Sequence, residues 1–180
     1  MSGRTPLGSG RSRVHDRVLR ARQDGVVPAP RRVPRPEVLL ARDPAADVYV
    51  DGSALSRYLP AAPEARPWAA WVAEHEPAVV ISRVSVLEAR VTAGLLGTDA
   101  SLVVLDALTR LPVMRLSDQA LRRAVLLPPG LGPFAALHVG AALAHVDVVA
   151  IATYDAPTAR AAEDAGLAVV SPGRPATWWR

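Results

Sequence analysis

The stretch VDVVAIATYDAPTARAAEDAGLAVVS, Val146 to Ser171, decides the fold. VDVVAIATY predicts a buried strand, closed by Asp155. PTARAAEDAG predicts a helix, and LAVVS a last strand. A strand, a helix and a second strand, with the strands short and continuously apolar, predict parallel pairing under covering helices.

The same alternation runs upstream. VYV predicts a strand ending at Asp51, and SALSRYL a helix stopped by Pro60. EARPWAAWVAEH predicts a helix with Trp68, Trp71 and Val72 on one face. AVVIS predicts a second strand, and RVSVLEARVTAGLLG a helix ending at Gly97. DASLVVLDALTRL predicts a helix capped by Asp99, PVMRL a short strand, and SDQALRRAVLL a helix capped by Ser117. GPFAALHVGAALAH starts the next helix. Together these elements predict an α/β fold, a three-layer α/β/α sandwich around a mainly parallel sheet. No internal repeat is present.

Composition bounds the chemistry. The chain has 180 residues, half of them hydrophobic, which suits one domain plus some excess. It contains no Cys, so disulfides and thiolate metal sites are excluded. That is compatible with a reducing, cytoplasmic location. No apolar run reaches the length of a membrane span, and the N-terminus lacks the apolar core of a secretory signal. The formal charge of +4 is unevenly placed: residues 1–47 carry ten Arg against five acids, residues 48–180 eleven Arg against twelve. Residues 1–47, rich in Arg, Pro, Gly and Ser, read as a disordered extension, with binding to phosphates as the rival reading. Translation from Val48 would omit them. Intact mass of the native protein checks that expectation: a full-length mass overturns it.

Ligands of open parallel sheets sit outside the carboxyl ends of the strands. Asp51 and Asp155 stand at two such ends; each could equally be a helix N-cap. Glu88 lies on or beside the stripe Val84, Leu87, Val91 and Leu95, where a lone carboxylate would be costly. A partner is implied: an arginine, a helix terminus or a metal ion. Arg90, only two residues on, faces elsewhere. Carboxylates at a strand edge, without Cys or HExxH, suit hard cations such as Mg²⁺ or Mn²⁺. No P-loop, GxGxxG or GxSxG occurs. VDGSAL also lacks the acid pair of a DxDxT phosphatase loop, having Tyr49 and Ser53 around Asp51.

At this point the order of motifs resembles a known family. VYVDGSALSRYL, ISRVSVLEAR and ALHVGAALAHVDVVAIATYDAPTARAAEDAGLAVVSPG are similar to the opening, middle and C-terminal segments of PIN domains. The match is specifically to VapC-like ribonuclease toxins of toxin–antitoxin pairs. The resemblance covers residues 48–173, leaving 174–180 as a C-terminal tail. It implies a Mg²⁺- or Mn²⁺-dependent endoribonuclease that hydrolyses RNA through metal-activated water. Asp51 would be the first metal ligand and Glu88 the second acid. Asp155 would close the site; all three would be catalytic. It also implies a VapB-like antitoxin whose arm wraps the domain, and a homodimer, for which the helix bearing Trp68 and Trp71 could serve.

One position departs from the pattern. The family's third acid opens the penultimate helix in a motif close to Asp-Ala-Leu-His; here Ala135-Ala136-Leu137-His138 stands there. A missing carboxylate would weaken the hold on a divalent cation, by roughly one to two orders of magnitude if it acts as a supporting group. The rival reading is therefore a degenerate PIN domain that binds an antitoxin or RNA without cleaving. His138 reads as a structural histidine at the edge of the apolar face. Trp178-Trp179-Arg180 could stack on RNA bases or cover its own domain.

Overall fold

The structure, a computed structural model, describes residues 47–180; the extension read at 1–47 lies outside these but for Asp47. Five strands form one sheet in the order β3-β2-β1-β4-β5, every pairing parallel. They are β1 (Asp47–Val50), β2 (Val79–Ser82), β3 (Val113–Met114), β4 (Val148–Ala152) and β5 (Ala168–Val170). The helices are α1 (Gly52–Leu55), α2 (Ala65–His75), α3 (Arg83–Leu96), α4 (Thr98–Arg110), α5 (Asp118–Val125), α6 (Pro133–Leu143) and α7 (Ala156–Asp164).

Alternation along β1 sends side chains to both faces of the sheet, and each face has its own core. Val48 and Val50 join Leu55, Trp68, Val72, Ala89 and Val104 on one side. Tyr49 joins Ala120, Val139, Ala142 and Ala162 on the other, with Ile151 of β4. Two cores on two faces make the three layers. The β1–β4 register slips once, from Asp47 opposite Val148 to Val48 opposite Ala150.

Local chemistry sets the helix starts. Asp51 accepts from the Ala54 amide at 2.9 Å, Ser82 from Ser85, Ser117 from Ala120, and Asp155 from Thr158 at 2.9 Å. Asp99 is not a cap: α4 begins one residue earlier, capped by Gly97, and Asp99 sits in its first turn, where a negative charge still suits the dipole. Gly97 at φ 107° lets α3 pass directly into α4. The helix expected over SALSRYL is a single turn, continued as a 3-10 turn over Ser56–Tyr58.

Two packing expectations change. The stripe Val84, Leu87, Val91 and Leu95 is not the buried face of α3: Leu95 is 84% exposed, Leu87 and Val91 are more than half exposed, and Ser85, Ala89 and Ala93 are buried instead. Small residues let α3 lie close to its neighbours; the larger ones are left outside. Trp68 is fully buried, so α2 offers less apolar surface than the exposed leucines of α3 and α4. Of the two readings of the C-terminal tail, covering its own domain holds, and Trp179 is not free to stack on a base. It is buried against α7, its indole N–H donating to Glu163 at 3.0 Å while Arg160 binds its carbonyl at 2.6 Å.

No helix among the described residues is long and apolar enough to cross a membrane.

Candidate active site

Winding from β1 goes outward to β2 and β3, then crosses over to β4 and β5. The direction reverses between β1 and β4, and at such a switch point the strand ends leave a crevice. Asp51 follows β1 and Asp155 follows β4. Ser53 ties the two ends together: its hydroxyl donates to Asp51 Oδ1 at 2.7 Å and accepts the Tyr154 amide at 2.8 Å.

Asp51, Glu88 and Asp155 all line one cleft of about 660 Å³. Leu87, Val91 and the half-exposed Phe134 form its apolar wall, and Ala135 and His138 lie at its α6 side. Among the described residues, no arginine or histidine other than His138 lines it.

Both aspartates are N-caps, as their positions allowed. Each cap uses one oxygen, Oδ1 of Asp51 and Oδ2 of Asp155. Asp155 Oδ2 also accepts the Thr158 hydroxyl at 2.6 Å. Asp51 is almost fully buried, and burial pushes its carboxyl above the ordinary Asp value. The nearby His138 and the donors on the Asp51 carboxylate pull it partly back.

Glu88 is half-buried, and its partners are a helix terminus and a histidine. Oε2 accepts the Gly52 amide of α1 at 3.1 Å and meets His138 Nε2 at 2.6 Å. His138 is 2% exposed, and its Nδ1 meets the Tyr49 hydroxyl at 2.7 Å. Tyr49 continues to Ser82 at 2.7 Å, and Ser85 anchors the group by donating to the Val50 carbonyl at 2.7 Å. Burial and the acidic neighbours Asp51 and Glu88 push the Tyr49 phenol up, so it stays a neutral hydroxyl. Sequence reading placed His138 in the structure but not in the site. It missed Tyr49 and Gly52 altogether. Gly52 carries a readable signal only in hindsight: a Cβ there would lie 2.3 Å from both Cβ and Oε2 of Glu88.

The donor set bears on a cation. Among the described residues, no three His, Cys, Asp or Glu side chains are grouped to hold a metal ion. Three carboxylates share the cleft, each with one oxygen committed to the protein. This fits Mg²⁺ held by one or two carboxylates and completed by water and substrate phosphate, rather than by a protein cage.

No family model matches this chain, and no curated protein matches it. Solved structures do. FitAcB from Neisseria gonorrhoeae aligns at 17% identity with a TM-score of 0.54, covering 71% of this chain and 99% of that one. FitAB bound to an IR36 DNA fragment aligns at 17% identity with a TM-score of 0.55, covering 73% and 99%. Likeness at this identity concerns architecture, and with the five-stranded parallel sheet and its two helical layers it establishes that residues 47–180 have a PIN-like fold.

Proposed function

We propose that this cleft is the site of a toxin-type endoribonuclease that hydrolyses RNA phosphodiesters with a Mg²⁺ or Mn²⁺ ion. The observation that carries the reading is three carboxylates lining one cleft at the switch point of a PIN-like sheet. Asp51 and Asp155 would hold the ion through the oxygens their caps leave over. Glu88, held by Oε2, would take a proton from the attacking water at Oε1. A bound divalent cation would supply water activation and neutralisation of the phosphate charge. Ser53 keeps the two aspartates in register through the strand ends.

The proposed partner is a VapB-like antitoxin, a reading supported by the likeness to FitAB. The exposed apolar side chains Leu87, Val91 and Phe134 at the cleft mouth would receive an apolar arm. A homodimer would use Leu95 and Leu96 of α3 with Leu102 and Leu105 of α4.

Ala135 favours a second reading, a degenerate PIN-like domain that binds a partner without cleaving. It occupies the α6 side of the cleft where the family's third acid is expected, and no three-ligand group stands among the described residues.

One assay separates the two. Structured RNA is incubated with Mg²⁺ or Mn²⁺ and wild type, Asp51→Asn or Ala135→Asp. Asn keeps the cap, so loss of cleavage reports chemistry and not unfolding. Cleavage by wild type that Asp51→Asn abolishes supports the nuclease. An inert wild type with an active Ala135→Asp supports degeneracy. Inertness of both, across several RNAs, sinks the assignment of the cleft as a nuclease site.

A further inference from the structure

We infer that His138 and Tyr49 are a positioning pair which, with the Gly52 amide, clamps Glu88 by one oxygen and presents the other to the cleft. The inference rests on reading the cleft as a nuclease site.

A chain of hydrogen bonds runs from Ser85 to Glu88. Ser85 has one hydroxyl proton, and its 2.7 Å contact to the Val50 carbonyl uses it. Ser82 can then donate to Tyr49 at 2.7 Å, and Tyr49 to His138 Nδ1 at 2.7 Å. That leaves the imidazole proton on Nε2, aimed at Glu88 Oε2. The Gly52 amide is the second donor on that oxygen. Two donors on Oε2 leave Oε1 as the only oxygen free to meet a cation or a water.

Burial makes the clamp stiff. Tyr49 is fully buried and His138 nearly so, and their rings lie 5.8 Å apart, packed in the core rather than in solvent. A carboxylate on a half-exposed helix face would otherwise sample several rotamers. The absence of a side chain at Gly52 is part of the device, because any Cβ there would displace Glu88. With Ala135 supplying no acid, the orientation of Glu88 matters more to the remaining site.

The test uses the full chain and Mn²⁺ as the probe, read by electron paramagnetic resonance. His138→Ala should weaken Mn²⁺ by about 10–100-fold, as removal of an outer-shell partner typically does. His138→Gln keeps an N–H donor and should recover most of that loss. Tyr49→Phe, which keeps the ring and the core, should lie between. On RNA the same variants should lower kcat and leave KM near the wild-type value. In the wild type, long-range ¹H–¹⁵N spectra should show a slowly exchanging His138 Nε2 proton. Circular dichroism melts confirm that each variant is folded.

Wild-type Mn²⁺ affinity in folded His138→Ala overturns the clamp, as does a missing Nε2 proton or a His138→Gln no better than His138→Ala. The predicted ranking of Mn²⁺ affinities with no RNA cleavage refutes the nuclease and leaves the clamp standing. A wild type that binds no Mn²⁺ overturns both.

Discussion

Asp51 has two roles that pull against each other. It caps α1, and it places a carboxylate in a site that is almost fully buried. Burial raises its pKa above the unfolded value, so the native state binds the proton more readily than the unfolded one. Stability therefore falls as pH rises from the ordinary Asp range through the folded pKa, and the full penalty is present above it. Asp51→Asn should thus stabilise the protein at neutral pH, by about 0.5–2 kcal/mol, the usual size of a single stabilising substitution. In acid, below the ordinary Asp range, the difference should vanish. Urea melts of both proteins at the two pH values check this; a variant less stable at both sinks it. Gly52→Ala should act oppositely on the site, costing about 1–3 kcal/mol of stability as overpacking and abolishing cleavage by moving Glu88. Wild-type cleavage by that variant would show that Glu88 is not held where the structure puts it. The acids were legible because strand ends and isolated carboxylates are local signals. The Glu88–His138 contact was not, because it joins residues fifty apart on helices whose facing sides no single sequence reveals.

At the scale of elements, periodicity showed where helices run but not which side they bury. On α3 the larger residues repeat at helical spacing, yet the protein packs on Ser85, Ala89 and Ala93. Polar side chains usually break the tie between two faces; on α3 they fall on both, Ser85 buried and Arg83 and Arg90 exposed, so a small-residue face and a large-residue face competed. Close packing chose the small one. The same logic places α6 on α5. A Cβ at Gly140 would lie 2.5 Å from the Ala120 carbonyl and 2.8 Å from the Ala124 nitrogen, both backbone atoms that cannot swing away. Gly140→Ala should cost about 1–3 kcal/mol through overpacking. Leu95→Glu, at an 84% exposed position, should stay within about 0.5 kcal/mol of wild type. If α3 forms the homodimer face, Leu95→Glu should also shift the mass seen by light scattering from dimer to monomer at equal fold stability. A large destabilisation by Leu95→Glu would mean that the buried face of α3 is wrongly assigned.

At the scale of the whole molecule, the strand-helix-strand run at the C-terminal end was enough to read the parallel sheet, and the sheet then gathered the acids at one edge. Charge distribution was legible too, but its consequence needed the cleft. Three carboxylates line it and, among the described residues, no arginine does. Phosphates carry the affinity of most nucleic-acid sites, through cations on the protein. Here the described walls repel them, so RNA should enter only with a divalent cation between phosphate and carboxylate. Residues 1–47 offer a different route, ten arginines with a salt-dependent, sequence-independent pull. Fluorescence anisotropy on a short single-stranded RNA separates the two routes, using the full chain and a chain starting at Asp47, each with Ca²⁺ or with EDTA. Cleft binding should appear in both chains with Ca²⁺, disappear with EDTA, and weaken in Asp51→Asn. Binding through the extension should persist in EDTA, weaken steeply with added salt, and be lost from the shorter chain. EDTA-resistant binding by the chain starting at Asp47 would show that RNA docks away from the carboxylates and would remove the electrostatic basis for the cleft as its site.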